Sequence, residues 1–128
     1  MLRPFSEAEL REAARAIEST LRKSEKAILK LRSGSAQHRL TARGIAAYTL
    51  ALALIARELG EAPENVPCAE EELVQASVAF SFAATRVEKI LPKFAAGTPQ
   101  HTLAVRRLRA LEIAGALIRI RSEEEPQH

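Results

Sequence analysis

Apolar residues recur every three or four positions along most of the chain, which is the period of an amphipathic helix and not the alternation of a strand. Ile17, Leu21 and Ile28 follow this spacing in the first part of the chain, and Leu103 and Leu111 lie two turns apart near its end. Most of the residues that interrupt helices are collected in a few places between such segments. They lie at Pro4, at Gly34, between 60 and 67, and between 97 and 99.

Helix start signals fall where three of these segments begin. Ser6 followed by Glu9 forms a capping box, and Ser35 and Thr98 are good N-cap residues, the second followed by Pro99 at the first helical position. We therefore predict helices near residues 7–33, 36–59, 69–95 and 99–121, and no strand. The tail from Ser122 to His128, with three consecutive glutamates and a proline, is expected to fray.

The composition is that of one globular domain. The chain has 128 residues, of which 47% are hydrophobic and 27% are charged, enough to bury a single core. Its one cysteine, Cys68, excludes an intrachain disulfide and is assigned no chemistry. The longest apolar stretch, 44–56, is shorter than the roughly 20 residues of a membrane-spanning helix. We expect a cytoplasmic protein with no membrane partner. The lack of Asp and the single Asn suggest a thermophilic source, and a GC-rich genome would give a similar bias.

The chain contains an internal repeat at an offset of 63 residues. When residues 34–55 are laid over 97–118, 10 of 22 positions are identical without a gap. The best-matched part is a turn motif, in which glycine, a hydroxyl residue, any residue and Gln-His are followed by a leucine two positions later. Each copy is one helical hairpin, near residues 7–60 and 69–122, with 123–128 as a tail.

Neither hairpin can bury an apolar face alone, so we predict that the two pack as an antiparallel, up-down-up-down, all-α four-helix bundle in a single domain, 1–128. Both turn motifs then lie at one end. The second helix is apolar nearly all round between Ile45 and Ala56, more than one bundle seam needs. Two explanations stay open for this surplus, a homodimer interface and burial at the centre of the bundle.

The repeated turn motif has a structural interpretation. Gly34 and Gly97 would stop a helix in the left-handed conformation, and the hydroxyl residue that follows each would cap the next helix, giving a tight turn. Residues equally distant from the glycine would then lie level across the hairpin. Two ion pairs would clamp the helices, Glu25 with Arg43 and Glu88 with Arg106.

Charge along the chain supports a second interpretation of the motif, as a binding site. Segments 22–43 and 86–109 hold 13 of the 19 Lys and Arg residues but only 2 of the 16 acidic ones. Arg39, Arg43 and Arg106 stand near helix N-termini, where the helix dipole disfavours positive charge. An anionic partner is expected there, because free backbone N–H groups and arginines both suit phosphate.

We predict a non-enzymatic interaction module whose basic end binds the backbone of nucleic acid, another phosphate-bearing anion or an acidic protein, without a cofactor. Base stacking is not expected, because the five aromatic residues all fall at apparent core positions. The predicted binding residues are Lys30, Ser35, Gln37, His38, Arg39, Arg43, Lys93, Thr98, Gln100, His101, Arg106 and Arg107. A purely structural oligomerisation module is a further alternative.

The two motif histidines suggest other chemistry. His38 and His101 could converge on a metal, but with Glu25 and Glu88 as the nearest carboxylates they make a thin ligand set. Local hydrogen bonding of each histidine at the third position of a capped helix is the plainer role.

An enzymatic alternative comes from Arg32, which precedes His38 by six residues with Ser33 between them. This pattern resembles the Arg-x4-6-His signature of HEPN ribonucleases. The resemblance implies a helical bundle that cuts RNA without a metal, with Arg32 and His38 as its catalytic residues. The second copy has Ala95 where the first has Arg32, so only the first carries the pattern.

Overall fold

The computed structural model describes residues 4–124, which contain four α-helices, one short 3-10 helix and no strand. The helices are α1 (Glu7–Ile28), α2 (Ala36–Glu58), α3 (Glu70–Ile90) and α4 (Pro99–Glu123), and the 3-10 helix is Leu91–Lys93. The prediction of an all-α chain with four helices is confirmed. Residues 125–128, most of the tail expected to fray, lie outside the described residues.

Helix ends follow from local chemistry. The capping box of α1 forms as predicted, since the Ser6 hydroxyl accepts from the Glu9 amide and the Glu9 carboxylate accepts from the Ser6 amide. Helix α2 ends in a Schellman motif, in which Gly60 adopts φ of 73° and the Glu61 amide donates to the Ala56 carbonyl. Glycine is required at this position because a side chain would strain a positive φ.

Both hairpins leave the helical path earlier than the sequence predicts. Helix α1 ends at Ile28, where the Lys30 and Leu31 amides switch to carbonyls three residues back. Helix α3 ends at Ile90, because Pro92 has no N–H to continue it. At the other terminus, α4 runs two residues beyond the predicted end, to Glu123.

The helices pack with each one against its sequence neighbours, α4 also against α1, and α2 across the bundle against α4. The core lies between them and takes aliphatic side chains from every helix and the ring of Phe80 from α3. Its largest fully buried members are Ile17, Leu54, Ile55, Phe80, Ile113, Leu117 and Ile118.

Polar contacts gather the helix termini at one end, which we call the terminal end. Arg11 near the start of α1 binds Glu61 just after α2 at 2.8 Å, and Arg57 at the end of α2 binds Glu124 just after α4. Arg121 donates to a carbonyl of the connection between α2 and α3. These contacts are expected when successive helices run in opposite directions. With this alternation the two glycine corners, residues 29–35 and 91–98, would both fall at the opposite end, which we call the corner end.

Helix α2 contacts all three other helices, as α4 does. Between residues 45 and 56 only Ala46 and Thr49 are exposed. Packing against the other helices covers part of the apolar surplus of α2, since residues 47, 51, 54 and 55 are buried and six others of the segment are half-buried. By length and composition α2 is also apolar enough to cross a membrane, a test that the core helix of a globular protein passes equally.

Half of the large apolar side chains that are exposed among the described residues lie on α3, and the others are Leu29, Leu40, Leu103 and Val105. Val74, Val78 and Phe82 are 58%, 64% and 63% exposed. The prediction that every aromatic residue is a core residue is therefore wrong for Phe82. Its side chain falls on the outer face of α3, and Phe80 supplies the buried ring on the inner face.

Candidate anion-binding site

The two corners have the same backbone geometry. Gly34 and Gly97 adopt φ of 83° and 86°, each at the third position of a four-residue turn. The turns are closed by the Ser35 amide on the Arg32 carbonyl at 3.0 Å and by the Thr98 amide on the Ala95 carbonyl at 3.2 Å. A positive φ at this position defines a type II turn. The glycines therefore shape a separate turn after the helix, and the prediction of a tight turn that they close directly is wrong.

Each corner leads into a capped helix, as predicted. The Ser35 hydroxyl accepts from the His38 amide at 3.1 Å, and the Thr98 hydroxyl accepts from the His101 amide at 3.3 Å. The His38 and His101 amides, which were expected to be free to bind an anion, are therefore already hydrogen-bonded. Pro99 has no N–H, so the second corner keeps fewer free first-turn amides than the first.

Arg39 has a structural partner that the sequence did not predict. Its guanidinium donates to the Gly34 carbonyl at 2.6 Å and so fastens the first corner to the start of α2. Thr102 takes the equivalent position in the second copy. The positive charge of Arg39 near a helix N-terminus is thus partly explained by the fold.

The two predicted clamp ion pairs do not form. Among residues 4–124, Glu25 has no N–O contact within 4.0 Å of Arg43, and Glu88 has none with Arg106. The register is the reason: with α1 ending at Ile28 and α2 starting at Ala36, the first hairpin is centred near residue 32 and not on its glycine. The clamp interpretation of these four residues is wrong.

The cations of the two basic segments are mostly unpaired. Arg22 reaches Glu18 at 3.9 Å, and Arg109 reaches Glu9 at 2.7 Å. The other 11 of the 13 have no carboxylate within 4.0 Å in the part of the chain that the structure describes. They are Lys23, Lys26, Lys30, Arg32, Arg39, Arg43, Arg86, Lys89, Lys93, Arg106 and Arg107.

A cavity of about 230 Å³ opens between the helices toward the corner end. It is lined by Thr20 of α1, Tyr48 of α2, Arg86 of α3 and Arg107 of α4, with apolar side chains from α3 and α4. Burial raises the pKa of the Tyr48 phenol, and the positive charges of Arg107 and Arg86 oppose this shift. The phenol and both guanidinium groups therefore share one electrostatic environment.

Arg86 and Tyr48 were not among the predicted binding residues. Tyr48 was assigned to the core, and the structure does pack its ring 5.9 Å from that of Phe80. The repeat carried a signal that could have found the site: Tyr48 is aligned with Leu111, and Arg107 with Gly44. The cavity lies where the two copies differ in polarity.

Of the predicted binding residues, Arg107 lines this cavity, and the others lie in the two corners or in the first three turns of α2 and α4. Ser35, His38, Thr98, His101 and Arg107 are half-buried. Lys30 lies in the first corner and Lys93 ends the 3-10 helix of the second, so neither is part of α1 or α3. The exposed members of the set are Lys30, Gln37, Arg39, Arg43, Lys93, Gln100 and Arg106.

The arrangement of the described residues adds no support to the metal or to the ribonuclease interpretation. Within residues 4–124, no three His, Cys, Asp or Glu side chains lie close enough together to hold a metal. Arg32 is exposed at the start of the turn in the first corner, and its carbonyl accepts a hydrogen bond from the Ser35 amide. His38 is the third residue of α2.

Comparison with known proteins finds no family model, no curated protein and no solved structure that matches this chain.

Proposed function

We propose that this protein is a non-enzymatic binding module that holds a phosphate-bearing anion, such as a nucleic-acid backbone, at its corner end. The unpaired cations support this proposal most directly. Eleven positive side chains of the two basic segments have no carboxylate partner among the described residues. Mutual repulsion of so many like charges costs stability, and a bound polyanion removes that cost.

Phosphate is favoured over an acidic protein because of the inter-helix cavity. Two guanidinium groups, those of Arg86 and Arg107, and the phenol of Tyr48 supply N–H and O–H donors around about 230 Å³. A phosphate group presents several acceptor oxygens in a compact volume, which suits convergent donors of this kind. Arg43 and Arg106, both exposed, carry further positive charge for a longer chain of phosphates.

Binding through charge is expected to weaken steeply with salt, since it releases counterions. The cytosol, where nucleic acids are available and a lone cysteine stays reduced, is the compartment that fits this function.

The test is anisotropy of a labelled single-stranded RNA at low salt, with the double variant Arg43→Gln/Arg106→Gln. Two lost phosphate contacts should weaken binding at least tenfold and lower the slope of log K against log salt by about 1.4. The matched control is Arg15→Gln/Arg119→Gln, which removes two exposed arginines outside both basic segments. Unchanged binding in the first variant, or equal loss in both, would overturn the proposal.

Two further measurements separate the alternatives. Competition by polyglutamate as strong as that by polyphosphate would favour an acidic protein partner. Tyr48→Phe keeps the ring that packs on Phe80 and removes only the phenolic donor, so weaker polyphosphate binding at unchanged stability would place a phosphate in the cavity. The RNA should be recovered intact; cleavage that His38→Ala stops and His101→Ala does not would favour the ribonuclease interpretation.

A further inference from the structure

An apolar stripe follows the outer face of α3. Val74, Val78 and Phe82 are four residues apart, so they lie on one side of the helix, and each is more than half exposed. Val74 and Val78 also border a groove of about 780 Å³ between α3 and α4. A continuous apolar stripe beside a groove is typical of a protein interface.

Charges at the two ends of α3 show what fits this face. The first turn carries three glutamates, 70–72, and the last turns carry Arg86 and Lys89. A second α3 laid antiparallel across the first and centred on Val78 would bring Val74 against Phe82. It would also bring Glu70 level with Arg86, since each lies eight residues from Val78. The face is therefore complementary to itself, as a twofold interface requires.

We propose that a second copy of this chain covers the stripe, forming a twofold-symmetric dimer through α3 with Val78 on the axis. A dimer face was one of two explanations for the apolar surplus of α2, but the exposed residues of that segment are only Ala46 and Thr49. On α3 the exposed side chains are large enough to form an apolar interface, and Glu70 and Arg86 fix its direction. The apolar contacts of this interface do not depend on what the corner end binds, whereas Arg86 belongs both to this face and to the lining of the cavity.

Cysteine crosslinking tests the position of the axis. In a Cys68→Ser background, Val78→Cys should give a disulfide-linked dimer on mild oxidation, because two residues on a twofold axis meet each other. Thr49→Cys, exposed on α2, is the matched control and should stay uncrosslinked. Equal crosslinking of both variants, or crosslinking of Thr49→Cys alone, would overturn the proposal.

Light scattering with size exclusion tests the oligomeric state. The unaltered chain should elute with twice the 14.0 kDa mass of one chain, and Val78→Glu should give the mass of a monomer with unchanged helical circular dichroism. Because Val78 is 64% exposed, folding should not suffer. A monomeric mass for the unaltered chain at every concentration, or a Val78→Glu dimer, would contradict the proposal.

Charge reversal tests the direction of the pairing. Glu70→Arg alone should weaken dimerisation by opposing Arg86 of the second copy, and Glu70→Arg/Arg86→Glu should restore it. A double variant that is weaker than the single one would exclude the antiparallel arrangement.

Discussion

The two ends of the bundle use their arginines differently. At the terminal end, Arg11, Arg57 and Arg121 each donate to a carboxylate or carbonyl of another segment, so their charges fasten helix termini together. At the corner end, Arg43 and Arg106 have no carboxylate within 4.0 Å among residues 4–124. The arginines of the terminal end therefore have a role in holding the fold together, whereas Arg43 and Arg106 at the corner end have no such role in the described contacts.

Arg109 shows where the division falls. It belongs by sequence to the second basic segment, but its guanidinium bonds to Glu9 and lies 5.6 Å from the ring centre of Phe5. Arg109 thus has an acidic partner, whereas its neighbours Arg106 and Arg107 have no carboxylate within 4.0 Å among residues 4–124. Position in the fold, more than position in the sequence, separates the arginines that stabilise the bundle from those available to a ligand.

The largest effect on stability is expected at the Arg57–Glu124 pair. Arg57 is 5% exposed and bonds both Glu124 oxygens, at 3.0 and 2.7 Å. Glu124→Gln leaves a buried guanidinium without its main counter-charge and should lower the free energy of unfolding by about 2 kcal/mol, below the range for fully buried pairs because Glu124 is half exposed. Urea denaturation measures it.

The neighbouring Glu123→Gln removes the same charge from an exposed residue and serves as the control. By contrast, Arg43→Gln/Arg106→Gln at the corner end should change stability by less than about 0.5 kcal/mol. If Arg43→Gln/Arg106→Gln lowered the free energy of unfolding as much as Glu124→Gln does, the two ends would not differ in the way described.

The two corners should respond equally to loss of their glycines. Gly34→Ala and Gly97→Ala each place a side chain at a positive φ, with no atom within 4 Å of the new Cβ, so only backbone strain is added. Each should cost about 1 kcal/mol of unfolding free energy. Gly115→Ala, also in open space but inside α4, should instead stabilise by about 0.5 kcal/mol. Costs that differ by more than a factor of two would show that the corners are not equivalent.

The smallest effect is the pH dependence of Glu9 at the terminal end. The Ser6 backbone N–H, followed by the Arg109 guanidinium, holds the pKa of the Glu9 carboxyl below its usual value. A lowered pKa in the folded state stabilises the protein above the usual glutamate pKa of about 4.3, and this contribution is lost as the pH falls through the lowered pKa.

Thermal unfolding of Glu9→Gln should therefore show a deficit against the unaltered chain at neutral pH that disappears in acid. Glu12→Gln, an exposed glutamate of the same helix with no ion pair among the described residues, should show no such pH-dependent deficit. An unchanging Glu9→Gln deficit would argue against the Ser6 and Arg109 contacts as its cause.

Local sequence determined the helices and their beginnings. Apolar periodicity gave four helices and no strand, and the Ser6, Ser35 and Thr98 caps form where they were predicted, because a cap depends only on residues within one turn. The positive φ of Gly34 and Gly97 was predicted for the same reason. Helix ends were predicted less well, since the corner backbone leaves the helix before its glycine.

Tertiary packing decided which side chains meet. The sequence alone could not show that Arg86, Arg107 and Tyr48 border one cavity, that Glu25 misses Arg43, or that α2 is covered while α3 keeps an exposed stripe. Such contacts depend on the length of each corner and on the rotation of each helix about its axis. A shift of one residue in either turns a helix by about 100°, enough to exchange a buried side chain for an exposed one.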